Sequence, residues 1–210
     1  LPYFKAGENS DRGENQWRGG AGYLGVTRGS FQNPLFDALE EAGTQSGQGH
    51  SEDLNGFNPE GTARLDATRK NGRRCSAAVA HLRPALARGN ITLITRAQVE
   101  KIVINGNSAT GISYRHKDKT HSVEANKEII LSGGAINSPH LLMLSGIGPK
   151  DHLKEHGIDT KVDLPGVGQN LQDHATVILQ YACKKSFPIH KVDQPHRKLA
   201  AGIQWVFTRK

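Results

Sequence analysis

The sequence predicts a mixed fold, α/β and α+β, because three different patterns occur along one chain. Residues 90–126 contain four β-branched, roughly alternating segments separated by short turns, which is typical of an antiparallel β-meander. Residues 128–144 begin as a short apolar strand, of the kind buried in a parallel sheet, and continue through two glycines into an apolar helix. An amphipathic helix is predicted at 33–43.

The amphipathic helix has clear start and stop signals. Asn33 is a favourable N-cap, Pro34 suits the first helical position, and Gly43 is expected to end the helix. The stripe expected to face the core consists of Leu35, Ala38, Leu39 and Ala42. A strand is predicted within 22–29. Residues 43–75 have no periodicity, which indicates a long loop that covers or lines a site.

The meander has its strongest turn signal at Asn105-Gly106, where a two-residue hairpin favours positive φ at both positions. Before the meander, Ser76 is expected to cap a short helix that Pro84 interrupts. After it, residues 149–157 predict a mostly polar helix, and residues 175–184 alternate and predict a strand of another sheet.

The turn between the apolar strand and its helix is the best candidate ligand site that the residues alone provide. Ser138 and Pro139 are expected to begin the helix, and the glycines at 146 and 148 to end it. Gly133 and Gly134 follow the carboxyl end of a strand and would let a ligand approach the backbone closely. A tight turn without a ligand is the alternative.

Three other sequence patterns could indicate a functional site, but each also has a purely structural interpretation. Residues 20–25 match G-x-G-x-x-G, but no strand precedes them and no helix follows, so a phosphate would meet no helix N-terminus. His152 and His156 lie four residues apart and could bind a metal, although a solvated helix face is the plainer interpretation. Asp173-His174 is either an acid–base pair or a hydrogen bond that orders a loop.

The composition excludes several classes of protein. The net charge of +7 comes from scattered residues, with one small cluster at 68–74, so a nucleic-acid interface is not expected. No segment approaches the roughly 18 apolar residues of a membrane span. Cys75 and Cys183 are too few for a disulfide framework and are expected to be packed thiols in a reducing compartment. A cytoplasmic location is expected, with peripheral membrane association left open.

The segment GAINSPHLLMLSGIGP at 134–149 resembles the second signature of the glucose–methanol–choline (GMC) oxidoreductases, which are FAD enzymes. Its flanks, among them NGRRCSAAVAHLRPAL and DLPGVGQNLQDH, resemble the choline-dehydrogenase-like branch of that family. The resemblance extends over essentially the whole chain, which then corresponds to an internal segment of a longer protein. It implies part of a Rossmann-like FAD-binding domain intertwined with part of an antiparallel-sheet substrate domain.

The resemblance also implies how the chain divides. Residues 1–75 would be mainly a substrate-domain segment with its long cover loop, residues 76–170 an FAD-domain segment, and residues 171–210 the start of the substrate-domain sheet. The family's dinucleotide fingerprint would lie before Leu1, and its catalytic histidine and partner beyond Lys210. No catalytic residue is therefore assigned to this chain, and no metal.

The site residues follow from the same resemblance. The backbone of Val99 would contact the adenine of FAD, and the turn would border the adenosine half through Ser132, Gly133, Gly134 and Ala135. The implied reaction transfers a hydride from a primary alcohol, choline-like or other, to flavin N5; quinone, cytochrome and oxygen are open as acceptors. Choline-oxidising relatives commonly have Glu at the position of Thr176, so a neutral alcohol is the hypothesis. A degenerate fragment that only binds or supports structure is the alternative.

Overall fold

The computed structural model describes residues 1–29, 33–180, 182 and 194–208. Backbone contacts divide the chain into two units, Leu1–Thr92 with Gln180–Lys210, and Leu93–Leu179. Parallel and antiparallel strand pairs both occur, together with helices, so the predicted mixed fold is confirmed. No helix in the described ranges is both long enough and apolar enough to span a membrane.

The first unit is built around a short three-stranded sheet. Helix α1 (Pro2–Gly7) leads into β1 (Glu8–Ser10), which pairs in parallel with β2 (Leu24–Arg28). Strand β2 pairs on its other side with β3 (Asp66–Ala67) in antiparallel orientation. The strand predicted within 22–29 is therefore present as β2.

Helix α2 (Pro34–Gln45) begins as predicted, because the Asn33 side chain accepts a hydrogen bond from Leu35 N at 2.9 Å. Its predicted end at Gly43 is wrong. Gly43 is buried inside the helix, and a Cβ there would lie 2.3 Å from Thr62 Cγ2, so the glycine serves close packing rather than termination. The stripe of residues predicted to face the core is also wrong. Leu39 is 63% exposed, and the side of the helix that packs against Thr62 is the side of Gly43.

The remainder of the first unit is mostly irregular, as predicted for 43–75. The hairpin of β4 (Arg69–Lys70) and β5 (Arg73–Arg74) follows β3. A π-helical turn (Ala78–Leu82) then runs directly into α3 (Arg83–Leu86), near whose start Pro84 is accommodated. Ser76 Oγ accepts a hydrogen bond from Val79 N at 3.4 Å, in agreement with its predicted capping role.

The second unit contains the predicted meander, with one strand fewer. Strands β6 (Ala97–Asn105), β7 (Ser108–His116) and β8 (Lys119–Glu124) form an antiparallel sheet in that order. The first of the four predicted segments, 90–95, is not a strand. The first hairpin turn is formed by Gly106 and the residue after it, with positive φ at Gly106 only, so the expectation for both residues of Asn105-Gly106 is wrong.

Helix α4 (Gly134–Leu144) follows the glycine turn and starts earlier than predicted. Ser138 does not cap it from outside; it lies within the first turns and accepts a hydrogen bond from Gly133 N at 3.0 Å. Gly146 ends the helix as predicted, with φ +88, and leads into β9 (Ile147–Gly148). Strand β9 pairs in parallel with β10 (Val162–Asp163).

The predicted polar helix is α5 (Lys150–Glu155), which Pro149 precedes and Gly157 follows with φ +68. In the first unit, α6 (Pro195–Thr208) is the last described element. Trp205 Nε1 on α6 donates a hydrogen bond to Gly72 O at 3.0 Å.

Two predicted strands are corrected. Residues 128–131 and residues 175–180 form no strand and pair with no strand of the described chain. Ile130 is 76% exposed and Val177 82%, although apolar patterns of this kind predict burial. The apolar sequence of helix α4 also predicts burial, yet Ile136 is 70% exposed. A strand forms only where a neighbour completes its hydrogen bonds, and local pattern does not supply that neighbour.

Candidate cofactor-binding site

A cavity of about 370 Å³ lies within the second unit, between the β6–β7 hairpin and the segment that leads into α4. Its volume falls in the range of pockets that hold small ligands and parts of cofactors. Both segments that the sequence predicted for the cofactor reach it. Those of its lining residues that matter here are Gln98, Val99, Ile112, Ser132, Gly133, Asn137, Ser138, His140, Leu141 and Leu144.

Val99 lies next to an irregularity of the sheet. It pairs with Tyr114, whereas Lys101 pairs with Ser113, so Glu100 is an extra residue on β6. An extra residue of this kind is a β-bulge, which breaks the ladder locally and re-aims the strand. The bulge takes the backbone next to Val99 out of the regular ladder of hydrogen bonds between β6 and β7. This part of the backbone lies at the edge of the cavity.

The glycine turn is held by its own helix and is open on the other side. Ser138 Oγ accepts the hydrogen bond from Gly133 N, which ties the turn to the first turns of α4. The atoms nearest to a Cβ at Gly133 would be those of Asn137 and Ser138, at 3.2–3.3 Å. Gly134 has φ +85 and open space around it, so this position needs glycine for its backbone conformation rather than for packing.

The cavity carries no charged side chain. Its polar groups come from Gln98, Ser132, Asn137, Ser138 and His140, and the remaining walls are aliphatic. Amides and hydroxyls can hydrogen-bond a heterocycle or sugar, while the aliphatic walls can cover a ring face. Lys or Arg, the usual partners of a phosphate, are absent from this lining. These residues therefore fit a nucleoside better than a phosphate group.

The other predicted site residues do not line the cavity that contains Val99. Ala135 lines a second cavity on another side of α4, and Gly134 lines neither cavity. Thr176 lies in an exposed segment without regular secondary structure and lines neither of them. Asn137 and His140 were missed by the sequence analysis. The misplaced start of α4 concealed them, because a helix that begins at Gly134 brings both into its first two turns.

The alternative motifs have structural explanations. In the G-x-G-x-x-G segment, a Cβ at Gly22 would lie 2.2 Å from the carbonyl carbon of Gly7, and β2 follows instead of a helix, as predicted. The rings of His152 and His156 are 4.7 Å apart, and the described residues contain no group of three or more possible metal ligands. The His174 amide donates to Asp173 Oδ1 at 2.8 Å, which agrees with the loop-ordering interpretation.

Cys75 is buried and accepts a hydrogen bond at Sγ from Gly25 N at 3.3 Å, as expected of a packed thiol. The same prediction for Cys183 lies outside the described residues.

A buried arginine in the first unit was also missed. Arg18 is 4% exposed and forms ion pairs with three carboxylates: Glu8 at 2.7 Å, Asp53 and Asp66. The hydrogen bonds from Arg18 hold the pKa of Asp53 down at about 2, and that carboxylate raises the pKa of Arg18. These pairs join β1, the long loop and β3, so the charges have a structural role.

The family can be tested against known proteins. A family model described as GMC oxidoreductase matches residues 1–176. The chain belongs to the GMC oxidoreductases. It is 44% identical to mitochondrial choline dehydrogenase of Homo sapiens over 207 residues, which cover 99% of this chain and 35% of the human protein. It is 48% identical to oxygen-dependent choline dehydrogenase of Rhizobium meliloti (strain 1021) over 210 residues, covering 100% of this chain and 38% of that protein.

Solved structures agree with this assignment. Pyridoxine 4-oxidase from Mesorbium loti is similar with a TM-score of 0.73 and 33% identity, over 79% of this chain and 33% of that one. An FAD-dependent oxidoreductase from Chaetomium thermophilum is similar with a TM-score of 0.86 and 26% identity, over 100% of this chain and 39% of that one. The GMC resemblance is confirmed, and the chain spans about 35–38% of the length of the two choline dehydrogenases.

Proposed function

We propose that this chain is the part of an FAD-dependent alcohol dehydrogenase that holds the adenosine half of the cofactor. One observation carries the proposal: Val99 and the turn at Ser132 and Gly133, far apart in sequence, line the same uncharged cavity. FAD-dependent enzymes among the similar structures supply the identity of the cofactor.

Each wall of the cavity has a part in binding. The backbone amide and carbonyl beside Val99 can recognise the edge of adenine. The Ser132 hydroxyl and the Asn137 amide can hydrogen-bond ribose, while Leu141 and Leu144 exclude water from one side. Bound FAD would supply the hydride acceptor, flavin N5, for oxidation of the alcohol. The described residues orient the cofactor for that reaction, and the proton-accepting histidine is proposed to lie outside this chain.

The domain assignment is part of the same proposal. Residues 76–170 would belong to the FAD-binding domain, and residues 1–75 and 171–210 to the substrate domain. The free, buried thiol of Cys75 supports a reducing location such as the cytoplasm. The acceptor is proposed to be a quinone, a cytochrome or oxygen, and reoxidation rates with each of them would distinguish the three.

The proposed substrate is a primary alcohol. The similarity to choline dehydrogenases supports an alcohol with a choline-like group. Thr176 supports a neutral alcohol, because a hydroxyl cannot offer a quaternary ammonium the charge of a carboxylate. Thr176→Glu is expected to raise kcat/KM for choline relative to a neutral alcohol of similar size. An unchanged ratio would remove Thr176 from the substrate site.

Cofactor binding is tested at Gly133 in the full-length protein. Gly133→Val places a branched side chain between the turn and Asn137, and the Kd for FAD is expected to rise at least about tenfold. Gly133→Ala is the matched control, because its Cβ needs neighbours to move by only a few tenths of an ångström. Flavin fluorescence during titration of deflavinated protein measures both. Unchanged FAD affinity in a folded Gly133→Val protein would contradict the proposal.

A further inference from the structure

Ser145, which directly follows the last residue of α4, is 0% exposed. Its hydroxyl accepts a hydrogen bond from Ile102 N on β6 at 2.8 Å and donates one to Leu141 O on α4 at 2.7 Å. A hydroxyl has one proton to donate, so this side chain uses its donor and an acceptor position at the same time. One fully buried hydroxyl therefore connects β6 to the last turn of α4.

The amide of Ile102 depends on this serine for its hydrogen bond. Strand β6 is an outer strand of the sheet β6-β7-β8, so an N–H that points away from β7 meets no further strand in the described chain. Ile102 is only 4% exposed, and Ser145 Oγ accepts from its N–H in place of a strand. A buried N–H that loses its acceptor costs more free energy than an ordinary hydrogen bond contributes.

The part of β6 that the serine holds is short and irregular on both sides. The register with β7 shifts between Val99 and Lys101 and again between Val103 and Ile104, so Ile102 is at the centre of the stretch between the two shifts. Because a bulge disrupts the ladder of hydrogen bonds, the sheet alone holds such a stretch less firmly than a regular strand. The hydrogen bond to the serine hydroxyl supplies a second attachment at its centre.

Both elements that Ser145 connects are walls of the cavity that contains Val99. Strand β6 contributes Gln98 and Val99 to the lining, and α4 contributes Leu141 and Leu144. The carbonyl of Leu141 accepts the serine proton, and Leu144 immediately precedes the serine in the chain. Ser145 is absent from the lining, so it can act on a ligand only through these two walls.

We propose that Ser145 is a positioning residue of the cofactor site: its hydroxyl fixes the spacing between β6 and α4, and this spacing sets the affinity for the adenosine half of FAD. This role rests on the proposed function, which assigns the cavity to adenosine. Ser138 has the corresponding position near the start of α4, where its Oγ accepts from Gly133 N at 3.0 Å. The two serines thus attach the helix to both other segments of the cavity wall.

Ser145→Ala in the full-length protein removes both hydrogen bonds of the hydroxyl. The Kd for FAD, measured by flavin fluorescence, is expected to rise about tenfold, because binding must then also hold the two walls together. The KM for choline at saturating FAD is expected to stay unchanged, since the cavity holds the cofactor and not the alcohol. A merely structural role would lower the unfolding temperature and leave the Kd of the folded protein unchanged, and that result would overturn the inference.

Ser10→Ala is the matched control for loss of a buried serine hydroxyl. Ser10 is 5% exposed, lies in the first unit, and accepts a hydrogen bond at Oγ from Arg12 N at 3.3 Å. This substitution is expected to lower the unfolding temperature without changing the Kd for FAD. An equal rise of the Kd in both alanine variants would show that affinity follows general stability, which contradicts a specific role of Ser145.

A second variant covers the case in which Ser145→Ala does not fold. Ser145→Cys places a thiol of similar size in the same position, and a thiol is a weaker donor and acceptor than a hydroxyl. The Kd for FAD is then expected to rise about threefold. An unchanged Kd in the folded cysteine variant would count against the inference.

Hydrogen exchange tests the connection between β6 and α4 without FAD. In deflavinated Ser145→Ala or Ser145→Cys, the backbone amides at 99–104 are expected to exchange faster than in the unsubstituted protein, while those of β8 stay unchanged. Unchanged exchange at 99–104 would overturn the inference, whatever Gly133→Val does to FAD binding. Faster exchange together with an unchanged Kd for Gly133→Val would instead refute the proposed function, and with it the effect of Ser145 on the cofactor.

Discussion

Two glycine-rich segments, 18–25 and 132–135, use the same residue type for opposite reasons. In the first, a Cβ at Gly22 or Gly25 would lie within 2.8 Å of backbone atoms of another segment, so chain packs against chain. In the second, the atoms nearest to a Cβ at Gly133 belong to its own helix, and Gly134 faces open space. The G-x-G-x-x-G motif lies in the closely packed segment 18–25, whereas the turn at 132–135 borders a cavity. In these two segments, the surroundings of the glycines distinguish close packing from a turn beside a cavity, and the match to a motif does not.

The largest expected effect is at Gly22. Gly22→Ala forces a Cβ to within 2.2 Å of Gly7 C and 2.5 Å of Glu8 N, and neither backbone atom can move without shifting β1. We expect the free energy of unfolding to fall by about 3 kcal/mol or more. Urea unfolding, with hydrogen exchange over 8–28, measures the loss. Gly133→Ala, the control in the open turn, is expected to cost less than about 1 kcal/mol; equal losses would refute the distinction.

A smaller effect on the free energy of unfolding is expected from the ion pairs of Arg18, which hold the segment 18–25 to the rest of the first unit. The pKa of Asp53 is held at about 2 in the folded protein, below that of an unfolded aspartate, which is about 4. The ion pair with Arg18 therefore contributes its full stability above pH ~4, and this contribution is lost as the pH falls towards 2. We expect a loss of about 2 kcal/mol across that interval.

Acid titration of the free energy of unfolding checks this. Asp53→Asn, which keeps the shape but does not titrate, is expected to flatten the dependence between pH 4 and 2. The open turn contains no titratable group, so Gly133→Ala should retain the slope of the unsubstituted protein. A slope that Asp53→Asn leaves unchanged would place the acid sensitivity elsewhere.

Capping and terminating residues predicted where helices begin and end better than they predicted which residues pack together. Asn33 caps α2 and Gly146 ends α4, because each acts through hydrogen bonds within a few residues. The end of α2 was mispredicted because Gly43 is required by Thr62, which lies in a distant part of the sequence. The start of α4 was mispredicted because Ser138 is hydrogen-bonded backwards to Gly133 from inside the helix.

The candidate site was predicted in part. Val99, Ser132 and Gly133 came from the family resemblance, and the structure brings them to one cavity. Asn137 and His140 were missed because their position depends on the phase of a helix whose start was misplaced. Arg18 was missed because its partners at 8, 53 and 66 are scattered in sequence and only the fold brings them together.

By itself, the sequence determined the family, the presence of an antiparallel meander and the glycine turn before α4. These depend on nearby residues, on the period of two in strands and on short motifs that a single chain displays. Only the tertiary structure decided which apolar segments became strands, which face of α2 is buried and which glycines touch another segment. Each of those outcomes depends on a partner distant in sequence, and local periodicity contains no information about that partner.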